Sequence, residues 1–505
     1  MSKNFPLNVI QYGNKLLVRS IENGKRRQYE LSYKPYLFVK SKKADAEYRT
    51  VFGDPADKIQ FDSIKSAKEF IKQYEGIENF EFFGMTNFVY PFINDKFPGE
   101  IHYDRELVNI VSFDIETMSD DGFPDVDTAN REITAITLSN GKDYVFLSVK
   151  EYHSHIPNVK VIRCRDEAEL LARFINEWCE MDPDIVTGWN IESFDIPYII
   201  NRIRRVLGQA HAERLSPWGR VREKEEVNSL GKKYKTYDIA GVAVMDYMLV
   251  YKKWTFTTRE SYSLDHIANV ELGVGKTDYS EYGSLHGLYE KNFQLYAEYN
   301  IRDTEIVNQL EDKLKLLELV LALSYDSKLN FTDAYTSVRM WDVIIHNYLM
   351  ERNIVIPQYK YDGAEFAFEG GYVKEPMLGR HEWIVSFDLN SLYPHLIMQY
   401  NISPEMYWGK IGLGETDIGK MIDTVYNENT EQNKDLLKFL KEKNLTVTPN
   451  GCLWKRDSQG FLGAIMEKLY VDRKDFKNRM LTAQKELQSV EAELAEIEKE
   501  LQKYK

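Results

Sequence analysis

The hydrophobic and polar positions of the first hundred residues read as short strands and turns. The Tyr-rich alternation around Tyr29 to Val39 predicts short strands joined by turns, with one helix near Ser63 to Tyr74. From Asn109 the pattern changes to a near-continuous apolar run, Ile110-Val111-Ser112-Phe113-Asp114-Ile115-Glu116, read as a buried strand. Strand and helix signals then alternate to about Leu316, as in an α/β domain. The charged, alternating segment Arg222 to Ile239, centred on Ser229-Leu230-Gly231, predicts a protruding β-hairpin. Helix is expected from about Ile301 through Ser324 and again around Val338 to Met350. Gly363, Gly370, Gly371 and Pro376 mark a boundary between Asp362 and Pro376. A strand at Trp383-Ile384-Val385-Ser386-Phe387-Asp388 opens the next domain. Asn427 to Lys434 reads as polar surface, and from Gly463 onward the chain reads as helix.

The tail carries its own pattern. Leu487, Val490, Leu494, Ile497, Leu501 and Tyr504 recur at alternating spacings of three and four, with Glu491, Glu493, Glu498, Lys499 and Glu500 between them. This is an a/d seam over nearly three heptads, marginal for a free coiled coil. The expectation is a helix that packs against a partner helix. The alternative is the packed face of an ordinary amphipathic helix, but no later segment of these residues is left to cover it.

Composition narrows the picture. A length of 505 residues suggests roughly three to four domains. Cys164, Cys179 and Cys452 sit far apart, with neither metal spacing nor a disulfide framework, which fits a reducing compartment. The start lacks the apolar run of a signal peptide. The densest apolar stretch, Leu316 to Leu323, is short and interrupted by Glu318, so no membrane span is expected. The net charge of −14 argues weakly against nucleic acid, but ten Lys and Arg residues between Arg202 and Lys235 form a local basic stretch suited to phosphates.

Two carboxylates, Asp114 and Glu116, lie two apart in an apolar strand and therefore share a face. Such a pair repels and costs desolvation unless a cation or donors satisfy it, and hard oxygen ligands suit Mg²⁺ or Mn²⁺. Asp195, in Asn190-Ile191-Glu192-Ser193-Phe194-Asp195, precedes a helix expected over Pro197 to Leu207, where a capping role is the plain alternative. Asp303 stands four residues after Tyr299 and shares a helix face with it; an exposed Asp on an amphipathic helix is the plain alternative there. The order D-x-E, N-x₃-F-D, Y-x₃-D resembles the three exonuclease motifs of proofreading DNA polymerases. The resemblance implies phosphodiester hydrolysis with two divalent ions held by Asp114, Glu116, Asp195 and Asp303. It places Tyr299 near the attacking water and Phe194 near the terminal nucleotide.

Ser386-Phe387-Asp388-Leu389-Asn390-Ser391-Leu392-Tyr393-Pro394 is similar to motif A of family B DNA polymerases. As bare residues it is a strand-to-helix turn with a capping Asp. The resemblance implies that Asp388 and the Leu389 carbonyl hold metal, again two Mg²⁺ or Mn²⁺ ions per site. It implies that the Ser391 and Leu392 amides meet a triphosphate and that Tyr393 packs under the sugar and rejects a 2′-hydroxyl. Asn401-Ile402-Ser403-Pro404-Glu405 follows as in T-even-like phage polymerases. Arg473 and Lys477 resemble the basic fingers residues that grip an incoming dNTP, and Gly371-Tyr372-Val373-Lys374-Glu375-Pro376 resembles the exonuclease–palm junction. The likeness runs to about Gln484.

The expected fold is therefore mixed α/β and multidomain. Residues 1–108 and 317–360 would form a discontinuous N-terminal domain, and 109–316 an RNase H-like 3′-to-5′ exonuclease. Residues 361–460 would be a partial palm, and 461–505 the first fingers helix with its heptad tail. The pattern departs from the family in one respect: no K-x₃-N-S-x-Y-G and no D-T-D follow Pro394, and Asp125-Val126-Asp127 lies far upstream in an acidic loop. The expectation is a chain that does not polymerise alone, the larger N-terminal piece of a split polymerase whose C-terminal chain pairs through the helix at 481–505; a truncated polymerase is the alternative. Expected partners are primer-template and single-stranded DNA, dNTPs, a sliding clamp and a single-strand binding protein, in the cytoplasm of a host cell. The hairpin at Arg222 to Ile239 would help part primer from template. Two further readings are a stand-alone 3′-to-5′ exonuclease and an RNA- or DNA-binding autoregulatory fragment. Gly275-Lys276-Thr277 is no P-loop, because Val270 stands where the motif needs Gly.

Overall fold

The computed structural model describes residues 4–503 apart from 78–79, 119–121, 123, 228–230, 232, 359–372 and 412–430. The chain divides into two units, residues 1–48 with 56–358 and residues 49–55 with 359–505.

The first unit opens with an antiparallel sheet of β1 (Phe5–Tyr12), β2 (Lys15–Glu22) and β3 (Lys25–Ser32). Helix α1 (Ile64–Tyr74) begins where expected because Ser63 and Ser66 close a capping box. A six-stranded mixed sheet follows, built from β4 (Ile110–Thr117), β5 (Ile133–Ser139), β6 (Tyr144–Ser148), β7 (Val159–Arg163), β8 (Ile185–Gly188) and β11 (Ala243–Asp246), in spatial order β7-β6-β5-β4-β8-β11. Its centre, β4, pairs antiparallel with β5 and parallel with β8. Both neighbours are apolar and buried, as a strand flanked on two sides requires. Helices α2 (Glu167–Met181) and α3 (Asp195–Val206) cover one face, where Phe174 and Trp178 of α2 pack on Phe113 of β4. Gly188 closes β8 where a Cβ would lie 2.5 Å from the Phe113 carbonyl oxygen, so only glycine fits beside the residue that precedes Asp114.

The expected hairpin is present as β9 (Val221–Val227) and β10 (Lys233–Ile239), paired from Val221↔Ile239 to Val227↔Lys233; most of its tip lies outside the described residues. One helix expected over Ile301 to Ser324 is instead two. Helix α4 (Phe293–Leu314) starts eight residues earlier, where the Asn292 side chain accepts from the Leu295 amide. It ends at Lys315, whose φ of 55° is left-handed, and α5 (Leu316–Ser327) sets off in a new direction. Helix α6 (Ser337–Met350) follows. After the sheet the chain returns to its start. Asn330 donates to the Val9 carbonyl and accepts from its amide, both at 2.9 Å, and Tyr325 packs edge-on against Phe5.

A buried ionic knot ties the first sheet to the second. Arg19, 1% exposed, donates to the Pro183 and Gly241 carbonyls and to Asp182; Arg26 grips both oxygens of Asp184 at 2.6 and 2.9 Å, and the Asn109 amide donates to Asp184 at 2.9 Å.

The second unit was expected to begin with a strand at Trp383 to Asp388. No strand forms there. Trp383 is 97% exposed and Phe387 92%, and none of the described strands pairs with the run. An apolar strand needs neighbours to take its hydrogen bonds, and these residues lack them. The boundary expected at Asp362 to Pro376 falls mainly outside the described residues, as does the first half of the polar stretch at Asn427 to Lys434, whose second half opens a helix. Helix α7 (Leu392–Tyr400) and a small sheet of β12 (Tyr407–Lys410), β13 (Leu445–Val447) and β14 (Cys452–Lys455) carry α8 (Glu431–Lys443) and the 43-residue helix α9 (Phe461–Lys503). Asn401-Ile402-Ser403-Pro404-Glu405 caps that long helix: Glu405 accepts from the Phe461 amide at 2.7 Å and Asn401 from Gly460 at 2.8 Å. Among the described residues no helix is long and apolar enough to cross a membrane.

Asp184→Ala leaves Arg19 and Arg26 without their shared carboxylate. Breaking a buried pair this way costs about 3–5 kcal/mol, so the urea midpoint of the first unit should fall sharply, read by tryptophan fluorescence. A midpoint unchanged within error would show that the knot does not hold the two sheets together.

Candidate active site

Three elements bring the expected nuclease residues together. Strand β4 presents Asp114 and Glu116 on one face, as the two-residue period demands. Helix α4 lies across that face and supplies Asp303, one turn after Tyr299. Oxygens of Asp114, Glu116 and Asp303 lie within 4.8 Å of one another. Asp195 is buried beside them, but its carboxylate turns onto the backbone: Oδ1 accepts from the Ile115 amide at 3.1 Å. It stands in the first turn of α3, which begins two residues before the expected start at Pro197.

Helix α4 is held on the sheet by polar contacts from Tyr296, Asn300 and Asn308, which share one face of the helix. Tyr296 shares a hydrogen bond of 2.5 Å with Thr134. Asn300 accepts from Thr137 at 2.5 Å and donates to Asp114 Oδ2 at 2.7 Å. Asn308 accepts from Ser112 at 2.8 Å and donates to Ser139 at 3.0 Å. These contacts fix the height of the helix on the sheet and so place Asp303 opposite Asp114 and Glu116. Asn300 was not singled out in the sequence, although a polar residue on the buried stripe of a helix was a visible signal.

Lys276 is the second residue the sequence reading passed over. It comes from the loop after the helix at Leu264–Leu272, and its ammonium meets Asp303 Oδ2 at 2.5 Å and the Tyr299 hydroxyl at 3.0 Å. Its neighbourhood in sequence offered only a failed phosphate-loop motif, so nothing local announced it. Burial works against its charge, but Asp303 and Tyr299 outweigh that and hold its pKa above the usual lysine value.

The carboxylates respond to the same crowding. Burial, then the neighbouring Asp195, Asp303 and Glu116, push Asp114 well above its ordinary value. Burial and Asp303 raise Glu116 to about 8. Burial raises Asp195 to about 7 despite the Ile115 amide, and Asp303 is raised by burial even with Lys276 against it. One oxygen of the buried Asp303, Oδ1, has no hydrogen-bond partner. Three convergent hard oxygens and an orphaned buried one suit a divalent ion such as Mg²⁺ or Mn²⁺. Phe194 caps α3 and stacks on Tyr198 with ring centroids 5.4 Å apart.

The polymerase-like residues lie in the second unit. Asp388, Leu389 and Tyr393 are exposed. Ser391, at a left-handed φ of 54°, turns the chain into α7, whose first residue is Leu392. Arg473 on α9 donates to Ser391 Oγ at 2.8 Å, so the structure brings one of the two expected basic residues to the motif; Lys477, one turn on, is exposed. His395 packs edge-on against Tyr470 and joins α7 to the root of α9.

Residues 93–267 match the profile of the exonuclease domain of DNA polymerase family B, and residues 332–497 match that of DNA polymerase family B itself. The chain is 34% identical over 512 residues to the DNA-directed DNA polymerase of Escherichia phage RB69, covering 96% of this chain and 55% of the relative. It is 34% identical over 516 residues to that of Enterobacteria phage T4, covering 97% and 55%. The DNA polymerase delta catalytic subunit of Schizosaccharomyces pombe is 26% identical over 388 residues, covering 73% and 34%. The chain thus spans about half the length of the phage relatives it matches.

A carboxyl whose folded pKa lies above its unfolded value binds a proton in the fold that the unfolded chain has released, so stability falls as pH rises between the two values. For Glu116 that window runs from 4.5 to about 8. The melting temperature in EDTA should therefore fall between about pH 5 and 8, and Mn²⁺ should raise it more at about pH 8, where the ligands are ionised. Scanning fluorimetry with Glu116→Gln as control, which should flatten the slope, checks this; an equal Mn²⁺ effect at both pH values would contradict it.

Proposed function

The chain belongs to DNA polymerase family B, alongside the polymerases of T4-like phages, and from that premise we propose that it carries the editing half of a replicative enzyme: a 3′-to-5′ exonuclease site with part of a polymerase site. The observation that carries this reading is the convergence of Asp114, Glu116 and Asp303 oxygens within 4.8 Å in a buried setting. Asp114, Glu116, Asp195 and Asp303 would hold Mg²⁺ or Mn²⁺, two ions per site. Bound there, the ions would lower the pKa of a water and offset the charge of the departing 3′ oxygen. The Tyr299 hydroxyl accepts from Lys276, which leaves its own proton free to orient a water. Asn300 sets the Asp114 carboxylate, and Phe194 offers a ring face to the terminal nucleotide.

The domain limits proposed from the sequence, 1–108 with 317–360, an RNase H-like 109–316, a palm portion at 361–460 and a fingers helix at 461–505, are compatible with the two sheets and the return of the chain at Asn330. In the second unit Asp388 and the Leu389 carbonyl would hold metal. Ser391, Leu392, Tyr393, Arg473 and Lys477 would meet a dNTP, and the contact of Arg473 with Ser391 supports that grouping. A second chain would supply the remaining carboxylate and the partner strands that Trp383 to Asp388 lack. The solvent-facing apolar seam of α9 supports this reading over a stand-alone nuclease. Primer-template and single-stranded DNA are the proposed substrates, with a sliding clamp and a single-strand binding protein as further partners.

The test uses the purified chain on 3′-mismatched primer-template and on single-stranded DNA in Mg²⁺. The 3′ end should shorten. Asp114→Ala should slow this by about 10³-fold or more. Lys276→Met, which acts through Asp303 and Tyr299, should cost about 10–100-fold. With dNTPs, no extension is expected. Extension by this chain alone, or shortening that survives Asp114→Ala, would sink the proposal.

A further inference from the structure

Among the described residues helix α9 is packed only at its root, where Ile465 is buried and Tyr470 meets His395. Beyond that its apolar seam faces solvent: Leu487, Val490, Leu494 and Ile497 are each 57% exposed and Leu501 59%. Leu487, Leu494 and Leu501 take the a positions of the repeat, and Val490 and Ile497 the d positions. The flanks then follow by counting. Glu486, Glu493 and Glu500 precede the a residues, at g, while Glu491 and Glu498 follow the d residues, at e. Every described flank position of the seam is glutamate, whereas Lys485 and Lys499 fall at f, on the opposite side. Among the described residues no ion pair joins these glutamates to a cation.

That arrangement selects a partner by charge. In a parallel pair g faces e of the other helix, and in an antiparallel pair g faces g and e faces e. A second copy of α9 would set glutamate against glutamate in either direction. A parallel copy is disfavoured a second time, because two-stranded parallel coils prefer β-branched residues at a and Leu at d, the reverse of this seam. An apolar seam that no described residue covers, with flanks that oppose self-pairing, calls for a different helix.

We propose that α9 docks one amphipathic helix of a second chain whose own seam is flanked by Lys or Arg, and that its glutamate flanks keep two copies of this chain apart. The proposal rests on the reading that a second chain completes the polymerase site, and it adds the chemistry by which that chain is recognised.

The probes are three synthetic helical peptides. Two share one Leu/Ile seam and differ only in Lys or Glu at every e and g position; the third keeps the Lys but scrambles the apolar positions, to control for the net charge of −14. Fluorescence anisotropy with the full chain should show the Lys-flanked peptide binding at least ten-fold tighter than either of the others, with the gap narrowing at about 1 M salt. Converting Glu486, Glu491, Glu493, Glu498 and Glu500 to Lys should reverse the preference between the two seam peptides. Sedimentation should find the unmodified chain monomeric at micromolar concentration. Equal binding of the Lys- and Glu-flanked peptides, equal binding of the scrambled peptide, no binding at all, or a stable self-dimer would each overturn the proposal. Primer extension by the chain alone would instead remove the second-chain reading while leaving the charge preference standing.

Discussion

Carboxylates gathered in a buried place repel one another, and the first unit is organised around bearing that cost. At about 4.8 Å and an effective dielectric near 20, two like charges repel by about 3 kcal/mol, before any desolvation. Asp114, Glu116 and Asp303 form three such pairs, with Asp195 alongside. The protein offsets the cost with one group for each of three acids: the Asn300 amide for Asp114, the Ile115 backbone N–H for Asp195 and the Lys276 ammonium for Asp303. What remains is met by protons, which is why the pKa values rise, or by divalent cations.

The scaffold follows from that requirement. A central strand with a neighbour on each side cannot shift, so the two acids of β4 are fixed in space. Gly188 lets β8 close against the Phe113 carbonyl immediately before them. The polar contacts of Tyr296, Asn300 and Asn308 then leave α4 one height at which to sit, since moving it would strand several buried donors at once. At the start of β8, the Arg19–Arg26–Asp184 knot fastens the N-terminal sheet to the same framework. The second unit applies a related device at smaller scale: the Asn401-to-Glu405 segment, recognisable in sequence only as a family likeness, satisfies the buried start of the long helix.

Local periodicity carried much of this in the sequence. Asp114 and Glu116 share a face because strands alternate, and Tyr299 and Asp303 share one because helices repeat every three to four residues; both could be read from spacing alone. The hairpin and the long terminal helix were legible for the same reason. Lys276 and Asn300 were not, because their partners are long-range: Lys276 meets groups 23 and 27 residues away, and Asn300 meets Asp114 across 186. No spacing rule reaches so far. The strand expected at Trp383 to Asp388 failed for the opposite reason. Its apolar pattern is genuine, but a strand is a relation between segments, and pattern alone does not supply the neighbour.

The account stands on the carboxylate cluster being a divalent-metal site. The most direct test is anomalous diffraction from crystals of the chain soaked in Mn²⁺ at a pH above 8, where the ligands are ionised. The account predicts an anomalous peak among Asp114, Glu116 and Asp303 that disappears in Asp303→Asn. Clean density with no ion there at millimolar Mn²⁺, and with the Lys276–Asp303 pair unaltered, would contradict it.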